Sequence, residues 1–217
     1  MSPKAPKSNV QRPLQYSICV SGAAAGPTIK SSWDEAEALG AAIARAGHVL
    51  TTGATVGLPY YAAKGAKEAG GMSIGFSPAS SLREHLRKYR LPYDYFDFIN
   101  FTGFNYVGRD LYLVQSSDAV LTVGGRIGSL HELTSALESR RPCGVLIGSG
   151  GAADMVSAIV NLLDPEFNDL IIYDEDPERL VERIVKVLDR ENKDLQKEID
   201  KRTNSWFLRQ PEPPRSG

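Results

Sequence analysis

The 217-residue sequence predicts an α/β fold, an open and mainly parallel sheet of about seven strands with helices on both faces. Three observations predict it. Short apolar runs recur along the whole chain. Their hydrophobicity is continuous rather than alternating, as a strand buried on both faces requires. Amphipathic helical patterns fill the gaps, so each strand leads through a crossover to the next parallel one.

The strands are expected at Tyr16 to Ser21, His48 to Gly53, Met72 to Phe76, Phe96 to Phe101, Ala119 to Val123, Gly144 to Ile147 and Leu170 to Tyr173. Between them, Asp34 to Ala46 carries Ala36, Leu39, Ile43 and Ala46 on one helical stripe. Ser129 to Ser139 carries Leu130, Leu133 and Leu137. After Gly57, the small residues Ala62, Ala63 and Ala66 would let a helix lie close to the sheet, with Gly70 and Gly71 ending it. A last helix from Pro177 has a stripe of Leu180, Ile184, Val187 and Leu188 and becomes densely charged from Asp189, a solvated end. Residues 14–202 are thus expected to form one domain, an open sheet of the Rossmann-like kind. Residues 1–13 read as a flexible proline-containing tail, and residues 203–217 as a proline-rich tail in which Trp206 and Phe207 could dock on a neighbouring surface.

A formal net charge of -1 offers no overall field for a nucleic acid polymer. No run approaches the roughly 20 apolar residues needed to cross a bilayer, and the N-terminus lacks the apolar stretch of a secretory signal. A cytoplasmic protein is expected. Cys19 and Cys143 sit inside apolar strands and read as small core residues. His131-Glu132 has no second histidine at zinc-protease spacing, and His48 and His85 have no companion, so neither a metal site nor a cofactor is expected.

In an open parallel sheet, ligands bind at the carboxyl ends of the strands. Three strand-to-helix loops there are rich in small residues. The first, residues 21–27 (SGAAAGP), contains Gly22 and would let backbone N–H groups approach a phosphate. In the second, Gly53 and Gly57 bracket a turn that could open onto a ligand. The third is the most informative: a strand runs into Gly124 and Gly125, then Arg126, Ile127 and Gly128, and a helix follows from Ser129. The Ser129 to Glu132 spacing also fits a capping box, and the same spacing recurs at Ser32 to Glu35. A cap leaves the glycine pair and Arg126 unexplained, whereas a phosphate site accounts for them. Residues 148–151 (GSGG) read as a further small-residue turn on the same rim.

At this turn the chain resembles the LOG (LONELY GUY) family, formerly labelled lysine decarboxylase-like, whose hallmark is PGGxGTxxE. Against it stand Gly124 for proline, Gly125 for glycine, Arg126 for glycine, Gly128 for glycine, Ser129 for threonine and Glu132 for glutamate. GLPYYAAKGAKEAGGMSIGFSP resembles the family's GLMxAxxxGAxxxGGxxIGxxP segment, and Arg109 stands where the family has an arginine ahead of its motif strand. The resemblance implies a Rossmann-like nucleotide binder that cleaves the N-glycosidic bond of a nucleoside 5'-monophosphate, giving the free base and ribose 5-phosphate. It implies catalytic roles for Glu132 and Arg109 and a phosphate seat on Gly125 to Ser129. Phe104 and Asn105 are candidate base or ribose contacts. The expected partner is a small-molecule nucleotide, and the expected assembly a homodimer or higher homo-oligomer. With Arg126 and Gly124 departing from the pattern, the alternative is a non-catalytic nucleotide sensor or a binding protein like the molybdenum-cofactor carriers.

Overall fold

A computed structural model describes residues 13–199. It contains seven strands, all in one parallel sheet with the order β4-β3-β2-β1-β5-β6-β7. The strands are β1 (Ser17–Gly22), β2 (Val49–Thr52), β3 (Met72–Ser77), β4 (Phe98–Phe101), β5 (Ala119–Val123), β6 (Cys143–Leu146) and β7 (Ile171–Asp174). The intervening helices are α1 (Thr28–Arg45), α2 (Leu58–Glu68), α3 (Leu82–Arg87), α4 (Asn105–Gln115), α5 (Ile127–Glu138), α6 (Gly151–Leu163) and α7 (Pro177–Glu191). A 3-10 segment (Pro165–Leu170) precedes β7. The expected tails lie largely outside the described residues, Trp206 and Phe207 among them.

The two faces of the sheet account for the unbroken apolar runs. Alternate strand residues serve opposite layers: Ile18 and Val20 pack with Leu39 and Ile43 of α1 and Leu180 and Ile184 of α7. Cys19 and Val120 pack with Leu113 of α4, Leu133 of α5 and Val156 of α6. Both cysteines are free and buried, and burial pushes the Cys143 thiol up to about 12.

α1 begins at Thr28, six residues before the expected Asp34, and bends where Ser32 leaves helical geometry at φ -138° and ψ 19°. Ser32 is therefore inside a kinked helix, its hydroxyl donating to the Ser149 carbonyl at 2.8 Å. α1 and α2 cross at the distance that glycine allows. A Cβ at Gly40 would stand 2.7 Å from the Ala62 carbonyl carbon, and one at Gly65 would stand 2.7 Å from that of Glu37. Gly65→Ala is expected to destabilise the protein by about 1–3 kcal/mol, although alanine is the better helix former by about 1 kcal/mol. Urea unfolding checks this, with Gly128→Ala, where nothing lies within 4 Å of an added Cβ, as the control that stays within about 0.5 kcal/mol.

The connections leave β1 toward β2 on one side and reach β5 on the other, so the order reverses between β1 and β5. Two neighbouring loops there depart to opposite faces and leave a crevice at the carboxyl edge. Register sets Ser21 beside Thr122 and Gly22 beside Val123, which puts the loops after both strands on that crevice.

Candidate functional site

The crevice holds a cavity of about 350 Å³, within the roughly 300–1,000 Å³ of small-molecule sites. One wall is the β1–α1 loop (Gly22 to Ala25), and the opposite wall is the start of α5 (Arg126 to Ser129). Gly53, Arg109, Asp110 and Glu132 form the base, and Tyr106 stands at the side. A hollow of about 680 Å³ beside His48 and Asp189 lies at the amino ends of the strands, away from the loops that carry ligands in such sheets.

The turn after β5 is held from behind. Gly124 and Gly125 have φ of 55° and 100°, left-handed values that glycine adopts without strain and that proline, fixed near −65°, cannot adopt. The Gly124 N–H donates to the Ser149 hydroxyl at 2.7 Å. The Gly124 and Gly125 carbonyls accept from Ala153 and Ala152 at the start of α6. Gly124 and Gly125 thus shape the turn without lining the cavity, and so does Gly57, the N-cap of α2 at φ 80°.

Arg126 is the N-cap of α5 and makes no side-chain cap bond. Its φ of -139° is extended backbone that any residue adopts, so an arginine costs nothing where the motif has glycine. The first N–H groups of a helix lack intrahelical partners. Here no acidic residue occupies that first turn, leaving its positive end facing the cavity. Ile127 is 81% exposed, and an added Cβ on Gly128 would meet nothing within 4 Å.

Ser129 and Glu132 do not form the capping box that their spacing allows. α5 starts earlier than expected, so Ser129 is its third residue and Glu132 its sixth. Glu132 is buried and accepts from two elements. The Ser21 hydroxyl of β1 donates to Oε2, and Arg109 of α4 donates from Nη1 to Oε1 at 2.9 Å. The same Nη1 lies 3.0 Å from Asp110 Oδ1, and Asp110 Oδ2 lies 3.1 Å from His131 Nδ1. Burial pushes the Glu132 carboxyl up to about 7, with Arg109 pulling it down and Asp110 pushing it up. Gly53 exists for this arrangement: a Cβ there would stand 2.8 Å from Cζ of Arg109. Arg109 Nε is buried without a hydrogen-bond partner among the described residues.

Of the residues singled out from sequence, Gly22, Gly53, Arg109, Arg126, Ile127, Gly128, Ser129 and Glu132 line the cavity. Phe104 and Asn105 do not. Phe104 stacks on Tyr112 at 5.0 Å, and Asn105 accepts from the Tyr89 hydroxyl at 2.6 Å. Tyr106 takes the place expected of them. Sequence reasoning missed Ser21, Asp110 and Tyr106, whose only signal was proximity to Gly22 and Arg109.

Residues 15–181 match the sequence model of the SLOG cluster4 family. The chain belongs to that family. An uncharacterized protein of Archaeoglobus fulgidus is 34% identical over 114 residues, 52% of this chain and 70% of the relative. Among solved structures, the molybdenum cofactor binding protein of Rippkaea orientalis is 30% identical with a TM-score of 0.67, over 81% of this chain and 98% of that one. The molybdenum cofactor carrier protein of Chlamydomonas reinhardtii is 28% identical with a TM-score of 0.66, over 81% and 99%. The SLOG cluster4 assignment agrees with the resemblance at the 124–132 turn, and these neighbours share its all-parallel Rossmann-like sheet. No helix among the described residues is long and apolar enough to cross a membrane.

Proposed function

We propose that the cavity binds a nucleoside 5'-monophosphate and that the chain hydrolyses its N-glycosidic bond. One observation carries the reading: the α5 helix offers both ends of the required site. Its uncapped first turn, with Arg126 beside it, suits a phosphate. Glu132 follows four residues after Gly128 on the cavity side, roughly 6 Å along the axis, and suits the sugar.

As the C–N bond breaks, its electron pair leaves on the base and positive charge grows on the ribose. An ionised Glu132 stabilises that charge. Water adds its oxygen to C1' and gives up a proton, and a proton joins the departing base, leaving free base and ribose 5-phosphate. Arg109 holds Glu132 in place and lines the same cavity. The test is incubation with a panel of purine and cytokinin-type monophosphates, quantifying free base and ribose 5-phosphate. Failure of every nucleotide to yield more product than Glu132→Gln yields would overturn the hydrolase.

A second reading is a binding protein without turnover, a nucleotide sensor or a molybdenum-cofactor carrier. Two observations favour it: both oxygens of Glu132 already accept protein hydrogen bonds, and two neighbours above 25% identity bear molybdenum-cofactor names. It expects calorimetric binding with no product, and efficient hydrolysis of a tightly bound nucleotide refutes it. On either reading Arg126→Ala is expected to weaken phosphate-ligand binding roughly 10–100-fold, the worth of a hydrogen bond to a charged group. The loss should shrink as salt rises. Titration calorimetry at two ionic strengths measures both effects.

A further inference from the structure

The base of the cavity contains more carboxylate than its arginine balances. Glu132 and Asp110 are both buried, and both approach a single nitrogen, Arg109 Nη1, at 2.9 and 3.0 Å. Two carboxylates flanking one buried guanidinium nitrogen disfavour full ionisation, which places a proton on the pair. His131, on the outer side of the pair, bonds Asp110 through Nδ1, and its side chain is 39% exposed.

We propose that Asp110 and Glu132 share one proton, that His131 sets which of them carries it, and that Asp110 is thereby a positioning residue for Glu132. The inference deepens the reading of Glu132 given above and rests on it only for its effect on turnover. The ionisable groups around the pair come from α4, β1 and the start of α5. Arg109 and Asp110 face Glu132 from α4, while β1 contributes the Ser21 hydroxyl and the Cys19 thiol. Burial and the neighbouring Glu132 raise that thiol well above its usual range, so it stays neutral. His131 faces Asp110 from α5. Tyr106 and Arg126 complete the ionisable lining, and burial raises the Tyr106 phenol. The His131 N–H stabilises charge on Asp110 and leaves the shared proton on Glu132. When the proton leaves, Glu132 becomes the carboxylate that the sugar meets.

The test reads the free, full-length protein: a carbon-13 NMR titration of glutamate and aspartate side-chain carboxyls, with Glu132→Gln and Asp110→Asn assigning the signals. In the wild type, Glu132 should titrate near neutral pH, and the Asp110 signal should move in the same step. Asp110→Asn removes the like charge and should lower the Glu132 midpoint by about one pH unit or more. His131→Phe removes the donor and should move the protonation shift from Glu132 toward Asp110. This second variant decides the matter if Asp110→Asn fails to fold. A wild-type Glu132 that completes its titration in the ordinary carboxylate range, about 4.3, overturns the proposal. So does an unmoved division of the shift in His131→Phe. Because no ligand is present, an inactive protein with the shared titration refutes only the hydrolase, and an active one with an ordinary Glu132 refutes only the shared proton.

Discussion

Glu132→Gln is expected to lower base release by about 10²–10³-fold, the usual cost of losing one group aimed at transition-state charge, while nucleotide affinity changes little. The amide keeps the shape and can still accept from Arg109, so binding and turnover separate in this variant. The pH dependence follows from the carboxyl being held up at about 7. If only the ionised form supports cleavage, the rate falls about tenfold per unit as pH drops below that value. The stability effect has the opposite sense to activity. Between the ordinary carboxylate range and about 7, the folded protein binds more protons here than the unfolded chain, so stability declines as pH rises through that window. Glutamine removes that slope. Relative to wild type, Glu132→Gln should therefore melt higher at pH 8 than at pH 5, which scanning calorimetry at the two pH values measures.

Arg109→Met should be the most destabilising change in the site, at about 3–5 kcal/mol, because it leaves Glu132 and Asp110 buried without their countercharge. Methionine replaces the length of the stem, so the loss is chiefly electrostatic. It should be largest at high pH and shrink as Glu132 takes up its proton on acidification. Urea unfolding at pH 5 and pH 8 measures the difference. Arg45→Met is the contrast. Its pair with Glu178 is shorter, at 2.6 Å, but the two side chains are 53% and 69% exposed, so its loss should cost no more than about 1 kcal/mol. Distance alone would rank these two arginines the wrong way round; burial reverses the order.

The strands were legible because burial on both faces leaves an unbroken apolar run, and β5, Ala119–Val123, falls where that run predicts it. Edges were less so. β4 starts at Phe98 rather than Phe96 because Asp97 is engaged with Lys67 and the Ser73 N–H. α1 starts early at Thr28 because helical hydrogen bonding continues past the Ser32 kink, which carries no pattern in composition. The cavity's location followed from topology and from the glycines of the 124–128 turn. Its chemistry was only half legible. Arg109 and Glu132 came from resemblance, whereas Asp110 looks in sequence like any carboxylate on an amphipathic helix. Only the packing of α4 against α5 shows that it is buried beside an arginine and a histidine. Phe104 and Asn105 were sound guesses from spacing, but their partners Tyr112 and Tyr89 draw both away from the cavity.

The turn after β5 owes its shape to Ser149 and to the first amides of α6, and nothing in that shape depends on what side chain stands at position 126. Architecture and ligand choice are thereby uncoupled. A lineage could exchange Arg126 for a small, acidic or aromatic residue and retune which ligand is retained without re-evolving the loop. Because the rim's shape is held by its own hydrogen bonds, such retuning would act through the direct attraction between the new side chain and its guest, and not through the entropy of folding a loop around it.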